Sequence, residues 1–380
     1  RSWQVIAQSL RHELRAAMQP YVQSLRYGGV LLALSVGDQQ SIEDDDWLVF
    51  NRTGLTHLVS ISGSHVTLMA VLVSTVLSWC WRRMRYGAMR LAEYWPAQKV
   101  AACVALLVAA LYCTVAGWGV PAQRTFLMLT VVVCTRLANL SWQPSQVLAL
   151  AAALVVWLDP WAVLASGFWL SFGAVAVLMV CYHWQGHAIQ PHRGWRTFLH
   201  VVKQASAWQV VISVALFPAL AWQFHEVSLI SPLSNAYAIP LIGMVITPLS
   251  LILMVTAPIE WLAPFSGWVA WLAHSLLNVM MRPTQWLSEQ HAASLAVAHA
   301  PLWTYGIAVV GMTYALLPKG LPGKQWAWLG VLPCLLWGKE HVDEGEWLAH
   351  ILDVGQGSAI LVQTRQHTLL FDTGLRSSYN

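Results

Sequence analysis

Apolar runs of roughly 13 to 28 residues follow one another from residue 61 to residue 338, separated by short polar or basic loops. Each is near the roughly 17 to 25 residues that carry a helix across a bilayer. The runs lie near 61–81, 100–118, 122–138, 146–158, 161–184, 207–224, 229–256, 265–281, 302–318 and 325–338. The pattern therefore predicts an all-α polytopic transmembrane helical bundle of about ten spans. The run 146–158 is short, and 229–256 is long and holds Pro232, Pro240 and Pro248. A broken or re-entrant segment facing the bundle interior is expected there, because freed backbone groups need protein or water at membrane depth.

The two ends read differently. Residues 1–56 are amphipathic, with Leu10, Leu14, Ala17 and Met18 at helical spacing and an acidic run Glu43 to Asp46. They are expected to form an aqueous or interfacial preamble to a transmembrane domain over 57–338. After Trp337 the chain turns polar, and Trp347–Leu352, Ala359–Gln363 and His367–Phe371 alternate as short strands. Residues 339–380 are expected to begin a β-containing domain, and the chain reads as a piece of a longer protein.

Composition supports a lipid solvent. The chain is 57% hydrophobic and only 10% charged, far below the quarter usual in soluble domains. Its 23 Trp and 10 Tyr suit rings that gather at headgroup level at both faces of several crossings. The net charge of +4 sits mainly in short loops, where it sets orientation. Arg82, Arg83, Arg85, Arg90 and Lys99 mark one cytoplasmic loop; Arg193, Arg196 and Lys203 mark a second, Lys319 and Lys324 a third. Ten spans then leave both ends outside and put Arg124 and Arg282 near the outer face. The six cysteines fall in apolar runs without paired or metal-type spacing and read as small core hydrophobes.

Candidate chemistry is confined to a few polar stretches. Gly54 to Val66 carries His57, Ser60, Ser62, Gly63, Ser64 and His65 at the mouth of the first span. Polar side chains in a membrane bundle face its interior and mark substrate routes. Equally, small residues allow close helix approach, with the imidazoles bonded to backbone. Arg124 sits just inside a span, where a charge costs about 2.5 to 3.5 kcal/mol at mid-membrane; it needs a partner, water, or a snorkelling path to the interface. Asp159-Pro160 reads as a turn, with Asp159 capping the next helix. Asn235, in Ser231 to Pro240, either bonds across helices, binds backbone freed at a proline, or lines a pore. His183, His187, His192 and His200 lack metal-ligand spacing and read as a solvated loop. The sequence contains no Walker motif, dinucleotide loop or paired-Cys zinc site, and no cofactor is expected within the chain.

Taken in order, these stretches resemble the ComEC family of competence proteins. The resemblance rests on Gly54 to Val66, Pro121 to Arg124, Gly167 to Phe172 and Ser231 to Pro240. Asp353-Val354-Gly355-Gln356-Gly357, with Phe371-Asp372-Thr373-Gly374, resembles the opening strands of the metallo-β-lactamase-like domain that ends many members. Ser64 and Ser358 depart from the family pattern, where a large aliphatic and an acidic residue are common. The resemblance implies a multi-pass protein of the bacterial inner membrane that carries single-stranded DNA inward during natural transformation. It further implies lipid and single-stranded DNA as partners, with motor or DNA-receiving proteins on the cytoplasmic side. The path candidates are His57, Ser62, Gly63, His65, Arg124 and Asn235. An alternative is a membrane-anchored hydrolase or nuclease with its metal-binding cluster beyond Asn380; an anchor, however, needs one span, not ten. No catalytic residue is identified within the chain.

Overall fold

The computed structural model describes residues 3–86, 89–185, 195–290, 293–298, 300–317, 320–338, 342–354 and 357–373. His187, His192, Arg193, Lys319, Gly355, Gln356 and Gly374, each part of a sequence expectation, lie outside the described residues.

Three helices precede the first long apolar one: α1 (Trp3–Val22), α2 (Gly28–Val36) and α3 (Asp44–Thr53). Parts of these three helices pack into the same core as later helices. Eight of the nine α2 residues are buried, and a helix that is apolar all round belongs in a core. Met18, Leu31, Leu34 and Phe50 share one core with Ile242, Leu253 and Leu277 of later helices. Arg11 of α1 fixes the end of α2: its Nε and Nη2 donate to the Val36 and Gly37 carbonyls at 2.6 and 2.8 Å, supplying donors that a helix C-terminus lacks. Arg26 holds the buried Asp46 of α3 through two bonds of 2.6 and 2.9 Å. Burial raises the Tyr27 pKa, so its hydroxyl is neutral where it accepts from Gln285 Nε2.

The body continues as α4 (Gly63–Arg83), a hairpin β1–β2 (Arg85–Tyr86, Met89–Arg90), the single turn α5 (Leu91–Tyr94), α6 (Ala97–Val115), α7 (Val120–Leu137) and α8 (Pro144–Leu158). A 3-10 turn (Pro160–Leu164), capped by Asp159 Oδ1 accepting from Trp161 N–H at 3.1 Å, leads to α9 (Ser166–Gln185) and α10 (Trp195–Phe224). Then come α11 (Ser231–Leu241), α12 (Thr247–Thr256), α13 (Ala263–Ser288) and α14 (Leu302–Leu316). Strands β3 (Glu226–Val227) and β4 (Leu295–Ala296) pair antiparallel across that stretch.

Among the described residues, five helices are long and apolar enough to cross a membrane: Gly63–Arg83, Ala97–Val115, Ser166–His183, Ala207–Phe224 and Ser231–Thr256. Only 11 to 39% of each is buried within the protein, so their apolar side chains face outward, as lipid-facing helices do. Two further apolar helices, α8 and α14, have 15 residues each. The runs 122–138 and 265–281 are helical as α7 and α13, but Arg124, Arg136, His274, Asn278 and Arg282 dilute them. The expected last span over 325–338 is not a spanning helix: it is a 3-10 stretch (Lys324–Val331) followed by the four-residue α15 (Leu332–Leu335). Gly323, Gly330, Pro333 and Gly338 punctuate it too densely for a long α-helix.

The 231–256 segment is not broken at its prolines. Helix continues through Pro240, and a π-helical stretch at Ile242–Ile246 joins α11 to α12 between Pro240 and Pro248. A wider turn absorbs the misfit where proline removes a donor and crowds the preceding carbonyl. Buried hydroxyls elsewhere, among them Thr53, Thr135, Ser250 and Thr284, donate to carbonyls four residues back, and Thr284 also bonds the Tyr237 hydroxyl at 2.8 Å across the bundle.

Cys113, Cys181 and Cys334 are buried as expected, whereas Cys103 and Cys134 lie on outward faces and Cys80 is half-buried. At the C-terminal end, β5 (Trp347–Ile351), β6 (Ile360–Thr364) and β7 (Thr368–Phe371) form an antiparallel meander, with Leu348 opposite Gln363 and Leu361 opposite Leu370.

Candidate functional site

The polar stretches that are far apart in sequence meet in the fold. Thr53 ends α3, and Gly54 comes next at φ 71°, a left-handed cap conformation that favours glycine. A Cβ on Gly54 would also approach Ser231 Oγ at the start of α11 to 2.7 Å. Ser234, one turn along, donates to the Thr53 carbonyl at 2.6 Å. Asn235 is buried and donates through Nδ2 to Ser231 Oγ at 2.9 Å, while its Oδ1 has no partner. It therefore bonds within its own helix and not across to another.

From Gly54 the chain passes His57 to the start of α4. His57 is exposed on the loop before α4, and partial desolvation lowers its pKa and favours the neutral ring. His65, in the first turn of α4, is 1% exposed. The Ser62 N–H donates to His65 Nδ1 at 3.4 Å, a long bond that serves an orphan donor at the N-terminus of α4. Accepting at Nδ1 puts the proton on Nε2, and Nε2 is buried without a hydrogen-bond partner. The Ser62 and Ser64 hydroxyls bond each other at 2.7 Å.

Gly63 brings α4 against α7. A Cβ there would overlap the Thr125 hydroxyl, so only glycine permits this approach. The neighbour of Thr125 is Arg124, 7% exposed, which rules out snorkelling to open water. Its Nε donates to the Val120 carbonyl at 3.3 Å, Nη1 is unpartnered, and among the described residues no carboxylate pairs with it. The guanidinium lies on the backbone of Gly167 at the start of α9.

The structure thus links Asn235, Ser231, Gly54, His57, His65, Gly63, Thr125, Arg124 and Gly167 into one seam running through α11, α4, α7 and α9. Of the six sequence candidates, His57, Gly63, His65, Arg124 and Asn235 fall along this series of contacts, and Ser62 precedes α4 with its N–H on His65 Nδ1. Sequence reasoning did not single out Thr125 or Ser231 individually, and their signal was their place inside the polar stretches; Gly167 is one of the small residues, with Ser166, Ser171 and Gly173, whose sequence suggests close helix packing. Three side chains at least nine-tenths buried, His65, Arg124 and Asn235, each keep one polar atom unsatisfied on this seam. A buried orphan donor or acceptor costs about 1 to 3 kcal/mol, more when charged, so each of these three atoms is a position where a polar or anionic group would be favoured. Among the described residues no group of three or more His, Cys, Asp or Glu is placed to hold a metal ion.

The family model described as "Competence protein" matches residues 34–322. The chain is 38% identical over 348 residues to "Competence protein ComA" of Neisseria gonorrhoeae, covering 91% of this chain and 46% of that protein. It is 29% identical to "Uncharacterized protein YcaI" of Escherichia coli, over 97% of this chain and 47% of the relative. With "Recombination protein 2" of Haemophilus influenzae it shares 23% identity over 96% of this chain and 49% of that one. The chain spans about half the length of the curated relatives it matches. No solved structure matches it.

Proposed function

The chain belongs to the competence protein family, and from that premise we propose that it serves DNA uptake by lining a route for a single strand across the bacterial inner membrane. The observation that carries this reading is the buried guanidinium of Arg124, paired by no carboxylate among the described residues, on a series of contacts that also carries the orphaned polar atoms of His65 and Asn235. Phosphates are the anions a passing strand presents at regular intervals, and Arg binds them in a bidentate fork. The neutral imidazoles of the seam would donate hydrogen bonds without trapping the strand by charge. Binding strong enough to admit a polyanion and weak enough to release it suits one fixed cation among neutral donors. Force would come from cytoplasmic proteins that pull or coat the strand, since the chain has no nucleotide-binding loop of its own.

Arg124→Gln in a naturally competent host tests this. Internalised, nuclease-protected DNA should fall by about tenfold or more, the equivalent of one lost charge-assisted bond. Surface-bound DNA and the amount of membrane-inserted protein should stay unchanged. Unchanged internalisation at normal abundance would remove Arg124 from the route.

A second reading draws on the antiparallel meander of β5, β6 and β7, which begins where a metallo-β-lactamase-like domain would. In that reading the larger protein is also a hydrolase. Nuclease activity of the longer protein, assayed with and without chelator, tests it: metal-dependent cleavage supports the reading and its absence sinks it.

A further inference from the structure

We infer that Arg82, Arg83, Arg85 and Arg90 form a headgroup site for an anionic phospholipid. Among the described residues these four line a pocket of about 400 Å³ at the C-terminal end of α4. Arg82 and Arg83 finish the helix, while Arg85 and Arg90 stand opposite each other in the two-residue pairing of β1 with β2. The Leu91 N–H donating to the Met84 carbonyl at 3.1 Å closes this hairpin against the helix end. Like charges opposite one another in an antiparallel pair repel. Among the described residues no carboxylate forms an ion pair with any of the four. A backbone that gathers four guanidiniums around one cavity without a counterion has its charge balanced from outside, and four planar forks suit phosphate oxygens.

The surroundings favour lipid over nucleic acid as the source of that phosphate. Leu72, Val76, Trp79 and Arg83 succeed one another at spacings of four, three and four, one stripe of α4, and all are exposed. That stripe is apolar until Trp79 and then turns cationic. Arg83 lies over the Trp79 ring, 3.7 Å from its centroid, and donates to the Trp79 carbonyl. Exposed Tyr94 and Trp95 flank the pocket in sequence, and Trp81 Nε1 donates to the Trp95 carbonyl at 3.1 Å. An aromatic belt beneath a basic cluster marks the headgroup level of a bilayer, and acyl chains can lie along the stripe while the phosphate sits among the arginines.

Positive charge at a loop also sets topology, so the test must keep the charge. The purified chain is compared with Arg85→Lys/Arg90→Lys, which preserves charge and insertion but loses the planar forks. Each is offered phosphatidylglycerol and phosphatidylcholine in detergent, and retained lipid is read by native mass spectrometry. The parent chain should hold phosphatidylglycerol at an excess of about tenfold over phosphatidylcholine, a difference an ionic headgroup contact can supply. The lysine variant should lose most of that preference while melting at the same temperature in phosphatidylcholine. If that variant does not fold, Arg82→Lys read in the same way takes its place. Equal retention of the two lipids by the parent, or undiminished preference in the folded variant, overturns the proposal and leaves the cluster only a topological role. A single-stranded oligonucleotide that displaces phosphatidylglycerol from the parent but not from the variant would reassign the pocket to nucleic acid.

Discussion

The guanidinium of Arg124 rests on the backbone of Gly167, where an added Cβ would come 2.7 Å from Nη2 and 3.0 Å from Nη1. The clashing atoms are the far end of a flexible side chain, so the fold can yield without moving backbone. Gly167→Ala should therefore keep normal abundance, and any gain in helix propensity is below about 1 kcal/mol. It should nonetheless displace the guanidinium and cut internalised DNA nearly as far as Arg124→Gln. Immunoblot of membranes beside a nuclease-protection assay separates the two effects. Normal uptake would mean that the position of the guanidinium is immaterial.

At Gly63 the same kind of substitution should act on the fold instead. The atoms in the way are the hydroxyl and Cβ of Thr125, a β-branched residue on a packed helix. Gly63→Ala should destabilise by about 1 to 3 kcal/mol through overpacking. Adding Thr125→Ala, which removes the hydroxyl but leaves a Cβ 3.1 Å away, should restore part of the loss. Melting temperatures of the purified single and double variants measure this, and strict additivity would argue against direct contact.

His65 needs two substitutions, because it both caps α4 and keeps a buried, unpartnered Nε2. Leucine removes the acceptor that serves the Ser62 N–H and should lower stability by about 0.5 to 2 kcal/mol, the usual worth of a cap. Glutamine can accept that same N–H, as in the Ser-x-x-Gln capping arrangement, and should restore abundance. DNA entry in the His65→Gln strain then reports on passage alone. Low abundance in both variants would show that the imidazole is needed for packing.

A further prediction concerns the buried carboxylate of Asp46, bonded twice by Arg26. Arg26→Gln leaves the carboxylate with weaker donors and should cost about 1.5 kcal/mol, the low end for charged hydrogen bonds because Arg26 is half-exposed. Asp46→Asn in the same background should recover stability, since the uncompensated charge is gone. Thermal unfolding of the two variants decides the matter; no recovery would place the loss in packing around α3.

Much of this was legible in the sequence. Long apolar runs became helices, and the three C-terminal strands form within a residue or so of their alternating pattern, because both periodicities are local properties of the chain. The buried α2 was not legible: an apolar stretch of nine residues is too short to span, and nothing local says it will be covered by α12 and α13. The segment 325–338 misled because its mean apolarity is high while its glycines and prolines decide its geometry. For the seam, sequence supplied the members but not their neighbours. That Gly63 meets Thr125, and that Gly167 meets Arg124, depends on helix packing between segments scores of residues apart.

Helix lengths in this protein are uneven, and the unevenness bears on the bilayer itself. The continuous helix of 26 residues from Ser231 to Thr256 reaches about 39 Å. The 15 residues of α8 and of α14 reach only about 22 Å each, against a hydrocarbon thickness of about 30 Å. Both short helices pack on α9, whose first turn carries Gly167 beneath the Arg124 guanidinium. Lipid that meets a helix shorter than itself is drawn thin, at a cost of a fraction of a kcal/mol per ångström. Were α8 and α14 to cross the bilayer, hydrophobic mismatch would pinch the membrane around α9 and shorten the oily distance there, making the protein sensitive to acyl-chain length in the membrane that holds it.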